Sequence, residues 1–335
     1  MIFTDVFNDV TKQGTKIPTN LYLENGLYPI IDQGQSKIAG YTNESDGLFT
    51  EVPAIIFGDH TRVIKYVDTP CFLGADGVKL LRAKDCDANY KYLYYALCSA
   101  NIPNTGYNRH FKWLKEVDIP EHSVEEQHNI VAQLEKIETL ISLRKHQLSK
   151  LDELVKSRFI EMFDGKGYPE LKWNEVFNTT TGKLDSNAMV ADGEYPFFTC
   201  AKEAFRIDKY AFDQEALLLA GNNAAGKYDV KYYKGKFNAY QRTYVLGLKQ
   251  NWSYQLFRYQ LEDKLDYLQQ QSLGGLTKYL TIKILGELEF IVPPMDKQDE
   301  FTAFVEQIDK SEFEIQKSLE KLETLKKALM QRYFG

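Results

Sequence analysis

Residues 124–163 read VEEQHNIVAQLEKIETLISLRKHQLSKLDELVKSRFIEMF. Ile130, Leu134, Ile137, Ile141, Leu148, Leu151, Val155 and Met162 fall at steps of three and four, and Arg144 and Arg158 fill the two remaining places. This seven-residue period is the mark of a helix lying along another helix. Pro120 stands before the stretch and Asp164-Gly165-Lys166-Gly167 with Pro169 after it, so the helix stops at both ends. At about 1.5 Å per residue, such a helix is on the order of 60 Å long.

The pattern returns 171 residues further on, as Phe301, Val305, Ile308, Glu312, Ile315, Leu319, Leu322, Lys326, Leu329 and Tyr333. Between 124–163 and 295–334, 10 of 40 ungapped pairs are identical, Gln127/Gln298, Leu151/Leu322 and Phe163/Phe334 among them. The shift is close to half of the 335 residues, so the chain reads as one unit written twice.

The segments between the helices repeat as well. In 1–118, Tyr28–Ile31, Ala54–Phe57, Val63–Tyr66 and Val78–Leu81 are strand-like, broken by Gly58-Asp59-His60-Thr61 and Gly74-Ala75-Asp76-Gly77. A helix over Tyr90–Ser99 and a polar loop over Asn104–His110 follow. In 166–290, Tyr195–Phe198 echoes the first strand and Ala216–Leu219 the second, a helix is expected over Tyr254–Gln271, and Leu273–Lys278 forms the loop. The expected fold is α+β. Two similar mixed α/β domains, 1–118 and 166–290, are joined by spacer helices in 119–165 and 291–335. The helices pair as an antiparallel coiled coil with a pseudo-two-fold internal repeat. The competing arrangement is two separate amphipathic helices, each on its own domain.

The formal net charge is −6, spread as −2 over 1–118, −3 over 119–165, +1 over 166–290 and −2 over 291–335, so any basic surface is local to the globular halves. No apolar run reaches membrane-span length and no export signal opens the sequence, which predicts a cytoplasmic protein. Cys71, Cys86, Cys98 and Cys200 show no CxxC pairing and read as small buried hydrophobes. No phosphate loop, GxSxG, HExxH or Cys/His ligand cluster is present, and Val292-Pro293-Pro294-Met295 lacks the polar and aromatic ends of a base-flipping (N/D)PP(Y/F/W) tetrapeptide. Neither a catalytic residue nor a metal site is expected.

Polar turns at matched places in the two halves remain, and turns on a rigid frame are where recognition residues sit. The first half offers Gln33, Gln35, Ser36, Lys37, His60, Thr61, Arg62, Asn108, Arg109 and Lys112. The second offers Lys202, Asn222, Asn223, Gln241, Arg242 and Lys278, with Lys227, Lys231, Lys234 and Lys236 in the basic, tyrosine-rich run Gly226–Arg242. Lysines neutralise phosphates, and Arg, Asn and Gln pair with base edges, so these residue types suit DNA. The run reads equally as a hairpin with solvated lysines on one face.

The order of domain, long helix ending LDELVKSRFIEMF, domain, long helix ending LEKLETLKKALMQRYF resembles the specificity subunit of a type I restriction-modification system, a phage-defence assembly. The lead-in strings Pro120…Glu126-Gln127 and Pro293…Lys297-Gln298 carry the same resemblance, with Lys297 departing from the usual glutamate. It implies two target recognition domains, each reading one part of a split, asymmetric sequence in double-stranded DNA. The helices then set the gap and dock two methyltransferase (modification) subunits, and restriction/translocase subunits join for cleavage. It implies no cofactor on this chain: S-adenosylmethionine belongs to the partner methyltransferase, and ATP and Mg to the restriction subunit. The alternative is a recognition subunit or decoy of another DNA-modification defence system, without catalysis of its own.

Overall fold

The computed structural model describes residues 1–74, 76–106, 108–224 and 226–335. Ala75 and Tyr107, inside two of the expected breaks, lie outside the described residues. The long helices run Val124–Phe163 and Met295–Phe334. Every one of the twenty period positions is buried or half-buried, whereas Leu143, Leu154 and Phe313, off the stripe, are exposed. The chain forms two compact units, Met1–His146 with Gln316–Gly335, and Gln147–Ile315.

In the first unit a four-stranded antiparallel sheet has the order Phe7–Asp9, Val78–Ala83, Ala54–Gly58, Ile64–Val67. The apolar run Ala54–Phe57 is buried on both faces, as a central strand should be. Ile55 and Phe57 join a cluster with Tyr92, Tyr95 and Leu97 of helix Tyr90–Ser99 and Ile130 and Leu134 of the first long helix. Ala54 and Ile56 face the opposite way, toward Ile31, Leu73 and Leu80. The second unit places Ala216–Ala220 likewise, inside a six-stranded sheet ordered Phe205–Ile207, Tyr195–Phe198, Val230–Ala239, Phe212–Ala220, Thr243–Leu248, Phe177–Thr181.

Small contacts repeat with the fold. Asn89 caps one domain helix by accepting from the Tyr92 N–H, and Ser253 caps the other by accepting from Leu256. The Tyr90 hydroxyl accepts from the Ala83 N–H and the Tyr254 hydroxyl from Leu248, both at 3.0 Å. The shared glutamine of the lead-in strings has one job in each unit: Gln127 Nε2 donates to the His122 carbonyl at 3.0 Å and Gln298 Nε2 to that of Pro293 at 2.8 Å. Lys297 does change its helix start. Glu126 accepts from both Ser123 N–H and hydroxyl, while Lys297 bonds forward to Glu300 at 2.7 Å. The expected single helix over Tyr254–Gln271 is two, Tyr254–Asp263 and Leu265–Gln271. At Lys264 the N–H bonds back three residues to Leu261, and the redirected chain carries Leu268 into the core.

Within each unit the long-helix segments run antiparallel. In the first, the Lys326 ammonium meets Glu138 at 2.7 Å and the Tyr333 hydroxyl donates to Gln133 at 3.2 Å. In the second, Arg158 meets Glu300 at 2.6 Å and Phe163 packs on Phe301. The repeat is imperfect where Val155 stands in place of Lys326 and Glu312 in place of Ile141. A cavity of about 300 Å³ there gathers Asp152, Lys156, Arg258, Glu262, Asp263, Asp309 and Glu312. Burial pushes the Glu262, Asp309 and Glu312 carboxyls up, and Asp152 adds to the effect on Glu262 and Glu312 while Arg258 opposes it. A raised carboxyl holds its proton more tightly when folded, so the cluster destabilises the unit above the raised values. That penalty fades as pH falls through them toward the ordinary 3.8 and 4.5. Glu312→Ile is therefore expected to raise the melting temperature more at about pH 7.5 than at about pH 5. An equal or opposite shift at the two pH values contradicts this account.

Candidate nucleic-acid interface

Three segments of the first unit, distant in sequence, are tied together by hydrogen bonds. The Gln33 side chain spans two turns: its Oε1 accepts from the His60 N–H at 3.2 Å and its Nε2 donates to the Asp76 carbonyl at 2.9 Å. The Thr61 hydroxyl donates to the Gln33 carbonyl at 2.6 Å. Asp59, 3% exposed, docks the third loop. Its carbonyl accepts from the His110 N–H and its carboxylate from the Phe111 N–H, both at 2.7 Å. Gly77 is obligatory here, because its φ is +87° and a Cβ would come within 2.7 Å of His60 and 2.8 Å of Gln33.

This convergence places Gln33, His60 and Thr61 beside exposed Asn108, Arg109 and Lys112. Lys112 lies 4.6 Å over the Trp113 ring. Lys16, bonded at 2.8 Å, and then Arg109 hold the Asp76 carboxyl below its usual range. Gln35 and Lys37 line a cavity of about 500 Å³ with Lys65, Lys91, Tyr66 and Tyr94. Lys65 is 6% exposed and bonds the Ser36 carbonyl at 2.6 Å and Asp32 at 3.3 Å; burial pulls its ammonium down in pKa, with Asp32 opposing. Arg62, at φ +61°, turns inward and donates to the Ile102 carbonyl at 3.0 Å, so its guanidinium serves the loop.

The second unit repeats the junction with other residues. Aligning Ala54 with Ala216 and Ile31 with Phe198 sets Cys200 at the place of Gln33, Gly221 at that of Asp59 and Asn222 at that of His60. The Leu280 N–H donates to the Gly221 carbonyl at 2.9 Å, matching His110 on Asp59. The Cys200 thiol donates to Asn222 Oδ1 at 2.8 Å and lies 3.7 Å from the Arg242 carbonyl, so it spans the two turns that Gln33 spans. Asn222 and Asn223 pair with Tyr279 and Lys278 in a short ladder. A Cβ at Gly221 would meet the Arg242 carbonyl at 2.4 Å, which excludes any larger residue. The cluster thus unites Asn222, Asn223, Arg242 and Lys278, with Lys202, Lys227 and Gln241 on the adjoining chain.

The strand lysines have partners within the unit. Lys231 pairs with Asp229, Lys234 with Glu215 at 3.1 Å, and Lys236 lies 4.8 Å over the Tyr210 ring. All three belong to strand Val230–Ala239, which pairs antiparallel with Phe212–Ala220. Asp59 and Cys200, which hold the two junctions, were missed as site residues. The Gly58-Asp59-His60-Thr61 turn was visible, but nothing in it marks a carboxylate that bonds a backbone fifty residues away. Asp85, Cys86 and Asp87 form an exposed trio whose ligand atoms lie within 4.8 Å. Among the described residues no helix is long and apolar enough to cross a membrane.

Two loop clusters, built alike on two copies of one domain, are the frame of a duplicated recognition protein. Residues 3–153 and 166–327 each match the type I restriction modification DNA specificity domain, and the chain belongs to that family, the class of type I specificity subunits. It is 35% identical over 158 residues to the type I restriction enzyme EcoDI specificity subunit of Escherichia coli, covering 46% of this chain and 33% of the relative. A second Escherichia coli type I restriction enzyme specificity subunit is 28% identical over 148 residues, 38% of this chain and 36% of the relative. The matches thus span about a third of the length of each of these curated relatives. The crystal structure of a type I restriction-modification S subunit from M. genitalium shares the fold, with a TM-score of 0.69, 18% identity and coverage of 100% of this chain and 95% of that one.

Proposed function

We propose that each loop cluster reads one part of a bipartite, asymmetric DNA sequence within a type I restriction-modification complex. The observation that carries this reading is the repeated junction. Equivalent backbone bonds, His110 to Asp59 and Leu280 to Gly221, bring three polar segments to one place in each unit, yet the side chains presented differ. A shared frame with unlike polar residues suits two unlike half-sequences, and hence a site that is not a palindrome. The long helices pair along their length as an antiparallel coiled coil, set the gap between the half-sequences and dock two modification subunits. Those partners transfer the methyl group of S-adenosylmethionine to adenine N6. Restriction/translocase subunits, with ATP and Mg, act on unmodified DNA. The chain itself contributes recognition and works in the cytoplasm.

The test is methylation mapping by single-molecule sequencing in cells that carry the chain with its modification partners. Deleting seven matched residues, two turns, from each long helix is expected to change the gap and leave both half-sequences as they were. An unchanged gap contradicts the spacer role. Absence of any bipartite methylated sequence contradicts the whole reading.

A further inference from the structure

We propose that Asn222 reads the edge of an adenine in the half-sequence served by the second unit, with Cys200 as its positioning residue. The inference rests on the recognition role above and adds the base and the residue. Asparagine offers a donor and an acceptor side by side, the pair that matches adenine N7 and N6 in the major groove. A side chain reads a base only when its orientation is fixed beforehand, and Asn222 is fixed twice. Its backbone is paired with Tyr279 in the ladder that docks the third loop. Its amide is fixed by the Cys200 thiol, which donates to Oδ1 at 2.8 Å.

Counting hydrogen-bonding groups leaves the amide able to read. Among the described residues the Cys200 thiol is the amide's partner, on one Oδ1 lone pair, which leaves the second lone pair and both Nδ2 protons for a base. The surroundings favour a nucleic acid: Lys202, Lys227 and Arg242 are exposed on the adjoining chain, and their charges suit flanking phosphates. The matched position in the first unit differs in kind. There Gln33 holds the backbone of His60, not a side-chain amide. The adenine assignment therefore applies to the second unit alone.

Methylation mapping and duplex binding with the full chain and its modification subunits test this. Asn222→Ala is expected to make one A·T position of one half-sequence degenerate, with discrimination there falling on the order of tenfold to a hundredfold. The other half-sequence should stay unchanged. Asn222→Asp, which has the same shape but no amide donor, should disfavour adenine at that position. Cys200→Ser keeps a donor and should keep discrimination, while Cys200→Ala should weaken it at the same position; a purely structural cysteine would not single out one base pair. The inference is overturned if Asn222→Ala and Asn222→Asp both leave the half-sequence intact, or if the relaxed position is not A·T. A wild-type assembly with no bipartite specificity would instead overturn the underlying recognition role.

Discussion

Phe301→Ala is expected to lower the unfolding free energy of the second unit by about 3–5 kcal/mol. The Phe301 ring is fully buried, with its centroid 5.5 Å from that of Phe163, 5.7 Å from Phe159 and 5.5 Å from Tyr259. Leu256, Val305 and Met162 close the same cluster, so truncation leaves a cavity at the point where both long helices and a domain helix meet. The shift of the urea midpoint at constant slope measures the loss. Phe313 lies further along the same helix, off the repeat and 65% exposed, and Phe313→Ala should change stability by no more than about 0.5 kcal/mol. Similar costs at both positions would sink the account of the buried stripe.

Asp59→Ala is expected to weaken reading of the half-sequence served by the first unit by about tenfold or more. The Asp59 carboxylate is the acceptor for the Phe111 N–H. Losing it strands a buried donor, at about 1–3 kcal/mol, and loosens the loop that carries Asn108, Arg109 and Lys112. Methylation at sites matching the intact half-sequence should fall about tenfold or more, since 1.4 kcal/mol is tenfold. Asp59→Asn, which keeps an oxygen acceptor of the same size, should retain most of the activity. Wild-type methylation by Asp59→Ala would show that the third loop takes no part in recognition.

The frame was legible in the sequence because its signals are local. The seven-residue stripe, the flanking prolines and glycines and the 171-residue echo pointed to both long helices, which run Val124–Phe163 inside 119–165 and Met295–Phe334 inside 291–335, and Tyr90–Ser99 began at its Asn89 cap. The site was legible only as a set of turns. That the turns converge depends on backbone bonds such as His110 to Asp59, to which side-chain identity is nearly indifferent; Leu280 makes the matching bond in the second unit. The partners of the basic run Gly226–Arg242 were hidden for a related reason. Positive charge is visible in sequence, whereas the Glu215 carboxylate and the Tyr210 ring that these lysines meet come from elsewhere in the chain. The break at Lys264 carried no glycine or proline and was invisible for that reason.

One consequence of the unit boundaries concerns the order of synthesis on the ribosome. The first unit takes in residues 316–335, whose Leu329, Met330, Tyr333 and Phe334 cover the cluster around Tyr92 and Ile130. Those residues are translated after the whole of the second unit. The nascent amino-terminal domain therefore waits, with an apolar face uncovered, until the last helix has emerged, and premature termination within that helix damages the domain made first.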